Sequence, residues 1–537
     1  MSDTLAPQHV SNDVASVMAQ IVGSENISED PALRELYSQD VWAKGRTVDF
    51  VVAPQSTDAL SRVVSAAAAR GVALLPRGGG MSYTNGFTTD RAGAGVVDFA
   101  GLSRIVEINA DDMYMSVEAG CTWAALHEAL KPLGLRTPFW GPLSGLTSTI
   151  GGGLSQNNAF FGAGVYGPTS ESVLSVTVVL GDGRVLRTGT AGAPGAKPFW
   201  RHYGPDLTGL FLGDAGALGF KAQATLRLIP APEHDDGASF EFSTRAACAA
   251  AMADVARQNL AAEVFGFDPN LQRVRMKRAS IAADAKSLVN VMKKQGSVMG
   301  ALKEGAKVAL AGRDFIDDAA YTLHFAVEGR SAAGVAENID ALKAICANHG
   351  GREIENSIPT IIRANPFTPL NNMLGPQGER WVPVHGIVPM SEGPATWAEI
   401  DDVFASMRAD LDACEILTGY LVTSLSTTGY LVEPVFIWPE ALFALHEASV
   451  EKSWLDRLPR HAPNPEATAL VAEARAKVVD VFKRRGGAHF QIGRTYPYLA
   501  TRAPETRALV ETLKAALDPH GVVNPGALGL NADAPED

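Results

Sequence analysis

Three observations predict an α+β chain of two domains. The length of 537 residues exceeds what one ordinary core organises. Strand-like and helix-like hydrophobic periods alternate along most of the chain. One interruption stands out: Pro230 and Pro232, followed by the polar run "EHDDG".

The elements follow in order. Residues 1–44 read as a lead-in with some helix. Val51–Ala53 is a short strand, and Ser56 or Thr57 can cap a helix whose Leu60, Val63, Val64 and Ala67 share one face. Gly71 ends that helix, "VALLP" is the next strand, and the unit delivers the loop "RGGGMS" at its exit. Short strands come next in "GVVDF", "IVEIN" and "MSVEAG", then a helix through "TWAALHEAL". The segment "SVLSVTVVLGDGRVLRTG" is a hairpin turning at Asp182-Gly183. "LGFKAQATLRLIP" is the last strand before the proline pair. Alternating helices and strands fill the region beyond it, and "LKAALDPHGVVNPGALGL" closes the chain with a helix and a Pro/Gly-rich stretch.

Composition narrows the function. A net charge of −13 argues against binding a phosphate backbone, which requires a positive field. No apolar run reaches the roughly eighteen residues of a membrane span, and "MSDTLAPQHVSND" lacks the basic and apolar regions of a signal peptide. The four cysteines (Cys121, Cys248, Cys346, Cys414) are scattered and read as reduced thiols. The expectation is a cytoplasmic protein. Residues 271–315 carry ten Lys/Arg against three acids and read as a solvated helical face.

Two glycine runs carry the chemistry. In Arg77–Ser82, successive glycines expose backbone N–H groups that can cradle a pyrophosphate. No GK[ST] follows, which disfavours nucleotide hydrolysis. The second run, "GLTSTIGGGLSQNN" (Gly145–Asn158), lies in the same expected domain, so the two can clasp one extended cofactor. A literal GxGxxG at Gly162, Gly164 and Gly167 is not a dinucleotide fingerprint. "NNAFF" precedes it, and Pro168 and a strand follow it.

The ordered blocks "VVAPQSTDALSRVVSAAAARGVALLPRGGG", "GVVDFAGLSRIVEINADDMYMSVEAGCTWAAL", "GPLSGLTSTIGGGLSQN", "YGPTSESVLSVTVVLGDGRVL" and "GPDLTGLFLGDAGALGF" resemble the flavin domain of the vanillyl-alcohol oxidase/p-cresol methylhydroxylase family. "LDPHGVVNPG" is similar to that family's C-terminal return. The resemblance implies a two-part FAD-binding domain of the p-cresol methylhydroxylase type (45–232 and 490–537) with an inserted α/β cap, or substrate, domain (233–489). It also implies FAD, with the diphosphate on Arg77, Gly78, Gly79, Gly80, Met81 and Ser82. Thr147, Ser148, Ile150, Gly151 and Gly152 would line the flavin. Leu218, Gly219 and Phe220 would add backbone contacts, and Asn524 would close the site.

Met81 stands where many relatives carry a flavin-linking histidine, and "GPLSGLTS" lacks the alternative linking cysteine. The expectation is therefore non-covalent FAD, with cap His385 as the remaining linking candidate and Arg380 nearer the linking place. In "AHFQIGRTYPYLA", Arg494 aligns with an arginine that phenol-oxidising relatives use to stabilise a phenolate, although Gly493 replaces the tyrosine before it. Tyr83, Tyr496 and His385 complete the catalytic candidates, and Pro168 replaces an acid that relatives place near the flavin. The ligand spacing of metal-dependent 2-hydroxy-acid dehydrogenases is missing; His446-Glu447 has no second histidine.

The function expected is FAD-dependent oxidation of a small alcohol or para-substituted phenol, with oxygen, an electron-carrier protein or a quinone taking the electrons. A metal-independent 2-hydroxy-acid dehydrogenase is the alternative. A flavin-binding interaction protein with little turnover is the alternative of another class. A homodimer is also expected.

Overall fold

The computed structural model describes residues 8–281 and 320–531. Among the described residues the flavin-type part holds a four-stranded sheet, a five-stranded sheet and a short two-stranded pair (Leu135–Arg136 with Ile229–Pro230), and the cap holds one large sheet. Residues 282–315 of the basic stretch lie outside the described residues.

The first sheet has four strands in the order Ile27–Ser28, Phe50–Val52, Gly95–Asp98, Leu74–Arg77, with the last three parallel. Helix Thr57–Ala68 makes the crossover between Phe50–Val52 and Leu74–Arg77. Ser56 Oγ caps it, accepting from Ala59 N at 3.1 Å, and Leu60, Val63, Val64 and Ala67 are buried. The glycine loop therefore leaves the carboxyl end of a parallel strand, where open α/β sheets place their ligands. The second sheet is antiparallel, in the order Ile105–Asn109, Tyr114–Glu118, Phe220–Arg227, Val173–Val179, Val185–Arg187. Gly183, at φ +89°, makes its hairpin turn.

The cap is built on an eight-stranded antiparallel sheet that begins at His234. Helices Arg245–Arg257, Ala332–Asn348, Gly393–Ser406 and Pro465–Arg484 cover one face, burying Met252, Leu342, Trp397 and Val478 against Phe325, Val432 and Phe436. Strand alternation sends Leu431, Glu433, Val435 and Ile437 to the opposite face. There Leu431 joins the flavin-domain core, while Val435 and Ile437 pack with Leu271 and Val274 of helix Pro269–Ile281.

The GxGxxG glycines serve the seam between the parts. Gly164 N donates to Ala262 O at 2.8 Å, and a Cβ there would lie 2.5 Å from Ala261 O. Gly162 N donates to Glu263 at 2.7 Å. Glu263 also pairs with Arg363, which pairs with Glu328 at 2.8 Å; Arg136 from the flavin side pairs with Glu328 as well. All four charged side chains are buried, so each needs its partners to offset desolvation.

The C-terminal return lies beside strand Leu74–Arg77. Leu74 N donates to Val522 O at 2.8 Å and Asn524 N to Leu74 O at 2.9 Å.

Candidate active site

A cleft runs between the two glycine segments, with Gly78–Tyr83 on one side and Ser148–Gly153 on the other. The contact is close. A Cβ on Gly78 would lie 2.2 Å from Thr149 Oγ1, and one on Gly79 would lie 2.1 Å from Thr147 O. Only Gly80 of the three has a positive φ, +76°. Asp40 braces the loop from behind, accepting from Trp42 N, Ala43 N and Asn85 N at 2.6–2.8 Å and from Ser82 Oγ at 3.2 Å.

Among the described residues, the backbone N–H groups of Gly79 through Tyr83 have no acceptor within the protein. Such a bare row facing a cleft is the donor set an anionic group requires. Lys221, also on the cleft, is paired with Asp214 at 2.6 Å, so its charge is already balanced. The residues present thus fit a diphosphate held by backbone dipoles.

Tyr83 and Gln491 line the cleft where it meets the cap. Tyr83 packs edge-on against Trp381, with centroids 5.9 Å apart. The registers Pro383↔Val435 and Gly386↔Val432 put His385 across from Glu433 on the inner sheet face. The Glu433 carboxyl has no hydrogen-bond or ion-pair partner among the described residues, and burial pushes its pKa up to about 8. Its negative charge acts on both Tyr83 and Tyr496, whose hydroxyls burial holds far above their ordinary range. Tyr496 Oη accepts from His385 N at 2.9 Å and lies 3.1 Å from His385 Nδ1. His489 stacks on the Tyr496 ring at 4.0 Å and its Nδ1 donates to His385 O at 2.7 Å. Burial lowers the pKa of His385 to about 3, so the imidazole is neutral. Among the described residues, no three His, Cys, Asp or Glu side chains are grouped to hold a metal ion.

Residues 48–189 match the FAD binding domain model, and residues 492–528 match that of the FAD linked oxidases, C-terminal domain. The chain thus carries matches to two domain models of FAD-linked oxidases, one at each end of the flavin-type part. It is similar to the glycolate oxidase subunit GlcD of Bacillus subtilis (32% identity; 42% of this chain, 46% of that protein). A probable mitochondrial D-lactate dehydrogenase of Danio rerio is 30% identical over 41% of this chain and 43% of its own length. The chain thus spans less than half the length of these curated relatives. The fold is that of p-cresol methylhydroxylase (TM-score 0.72, 17% identity, 98% and 99% of the two chains). It is equally that of the 4-ethylphenol oxidase from Gulosibacter chungangensis (TM-score 0.71, 16% identity, 99% of each).

Seen as an FAD site, the cleft brings together Gly78, Gly79, Gly80, Met81, Ser82, Tyr83, Ser148, Gly151, Gly152 and Gly219. Met81 also packs against the cap cluster of Leu370, Leu374 and Trp454, pegging the loop to the cap. Other expected contacts lie behind the walls. Arg77 is buried, its guanidinium 3.8 Å over the Tyr37 ring. Ile150 and Phe220 are core residues at 0% exposure, Leu218 is buried beside them, and Thr147 offers its carbonyl to the back of Gly79. Asn524 is fully buried; its Nδ2 donates to Gly86 O and Ala215 O at 3.0 and 2.7 Å, tying two cleft loops together. Arg380 is likewise buried, donating to the carbonyls of Val41 and Trp42.

Arg494 departs from its expected role of meeting an anionic substrate oxygen. Its guanidinium donates to Asn85 O, Asn524 Oδ1 and Pro525 O, each at 2.7 Å, and it borders a different surface cavity. With those donors committed to the backbone and to Asn524, it holds the C-terminal return against the loop after Tyr83. Arg494→Ala is accordingly expected to lower the melting temperature and FAD affinity. Flavin reduction at saturating substrate should stay within a few-fold of the parent, as stopped-flow absorbance would show.

Glu433 was not among the residues singled out from the sequence. The available signal was a single acid in the apolar strand "GYLVEPVFIW".

Proposed function

We propose that the chain takes a hydride from a small alcohol, at its hydroxyl-bearing carbon, or from the para side chain of a phenol, using FAD held without a covalent link. The observation carrying this is the Glu433 carboxyl. It is unpartnered and raised to about 8, and it sits on the cap face that meets the Tyr83 end of the FAD cleft. Bound FAD would supply the two-electron acceptor. The N–H groups of Gly79–Tyr83 hold the diphosphate. Tyr83 and Trp381 wall the substrate in and limit water. The ionised Glu433 accepts the proton of the substrate hydroxyl as the carbon is oxidised, and its raised pKa makes it a strong enough base for that transfer. His385, neutral and fixed by Tyr496, lines the same sheet row and keeps its charge constant across the working range.

Turnover should therefore rise with pH through about 8, since only the ionised carboxylate accepts a proton. A kcat profile that is flat from pH 6 to 9 would remove Glu433 from this role. The direct test is anaerobic bleaching of the flavin by benzylic alcohols, para-substituted phenols and 2-hydroxy acids. Bleaching by none of the panel would favour a binding protein with little turnover.

Non-covalent FAD is supported by Met81 at the cleft, whose thioether forms no histidyl link. Acid precipitation is expected to release the flavin into the supernatant; fluorescence retained on the denatured polypeptide would contradict it. A 2-hydroxy acid is the second reading, favoured by the names of the curated relatives; there Glu433 takes the same hydroxyl proton.

A further inference from the structure

The inner face of the cap sheet presents a cation as well as an acid. The registers Phe267↔Leu421 and Leu421↔Glu433 place these three residues in one row over adjacent strands. At about 4.8 Å per strand, Phe267 and Glu433 stand about 10 Å apart on one face. Helix Pro269–Ile281 crosses that face and brings the Arg275 guanidinium over the Phe267 ring, 4.3 Å from its centroid. That ring is its only polar or aromatic partner among the described residues. Beside it lies His324, at 0% exposure, with Nδ1 2.9 Å from Ser239 Oγ and Nε2 unpartnered. Burial lowers the His324 pKa to about 3, so among the described side chains Arg275 carries the positive charge beside the Phe267 ring. The strip between Arg275 and Glu433 is apolar, formed by Phe265, Leu421 and Val435 with Phe160 and Trp381 at its edges.

The Arg275 guanidinium is half-buried and has no anionic partner among the described residues; such partial desolvation is costly, and a ligand anion would offset that cost. One unit of charge on a planar fork matches a carboxylate monoanion. A phosphate dianion would remain half-neutralised beside a neutral histidine. We propose that the substrate is an apolar alcohol ending in a carboxylate, which pairs with Arg275 while its hydroxyl meets Glu433 about 10 Å away. The hydroxyl end of this arrangement rests on Glu433 as the proton acceptor; the anion end does not.

The test uses holoenzyme and ligands that lack the reacting hydroxyl: 3-phenylpropionate and 4-phenylbutyrate, each against its primary amide, by isothermal calorimetry. The carboxylates are expected to bind about 10- to 100-fold tighter than the amides, the ratio of a charge-assisted hydrogen bond. In Arg275→Met the preference should vanish while amide affinity holds, and Arg275→Lys should restore part of it. Equal binding of acid and amide by the parent overturns the proposal, and so does an undiminished preference in Arg275→Met. Tighter binding of 3-phenylpropylphosphonate than of the carboxylates overturns the choice of anion. If the carboxylate preference stands but Glu433→Gln reduces its flavin at the parent rate with an uncharged benzylic alcohol, the proton-acceptor assignment fails and the anion site remains.

Discussion

Glu433→Gln is expected to slow anaerobic flavin reduction by about 10²–10⁴-fold, the usual contribution of a positioned general base. FAD content should be unchanged, because Glu433 lies on the cap sheet and not among the residues lining the FAD cleft. The amide is close to isosteric but accepts no proton at working pH. A second effect runs the other way. The folded-state pKa of about 8 lies above the ordinary value of 4.5, so between these pH values the folded chain keeps a proton that the unfolded chain has released. Stability from this group is thus complete below pH 4.5 and falls as pH rises towards 8. Glutamine removes that loss. The variant should melt higher than the parent at pH 8, with the gap closing towards pH 4.5. Slow turnover with raised stability marks a functional acid; an unchanged rate would make Glu433 a structural one.

Gly79→Val is expected to produce nearly colourless protein with a folded cap. The added Cβ would fall 2.1 Å from Thr147 O and 2.7 Å from its carbonyl carbon. Both neighbours are backbone, so the two cleft walls must separate. Overpacking of this kind costs about 1–3 kcal/mol, and FAD affinity should fall by about 5- to 160-fold. Gly71→Ala is the control, because Gly71 has φ +65° and no atom within 4 Å of its Cβ position. Strain alone should leave flavin retention intact. Full FAD occupancy in Gly79→Val would mean that the loop does not hold the diphosphate.

The flavin-type part was legible because its signals are local. Strand, capped helix, glycine exit and Asp182-Gly183 turn each follow from neighbouring residues, and all form as expected. Positive φ falls on Gly80, while Gly78 and Gly79 are constrained by the facing segment Thr147–Thr149. That contact joins positions about seventy apart, which periodicity does not encode. Glu433 was illegible for a related reason. Alternation tells which residues of "GYLVEPVFIW" share a face, but not which face meets the flavin-type part. Arg494 shows the reverse: a motif located it correctly in the chain, and its surroundings then gave its guanidinium three other partners.

The hydrogen bond from Asn524 to Gly86 joins residues 438 positions apart and sets a timetable for biosynthesis. At about 5–20 residues per second, the glycine loop leaves the ribosome about 20–90 s before the asparagine that secures it. During that interval the whole cap is translated, and the loop's N–H groups face water without their C-terminal brace. Cofactor loading thus belongs to the last stage of the protein's birth. A ribosome that stalls before codon 524 releases a chain carrying nearly every cleft residue but not the strap that fixes them.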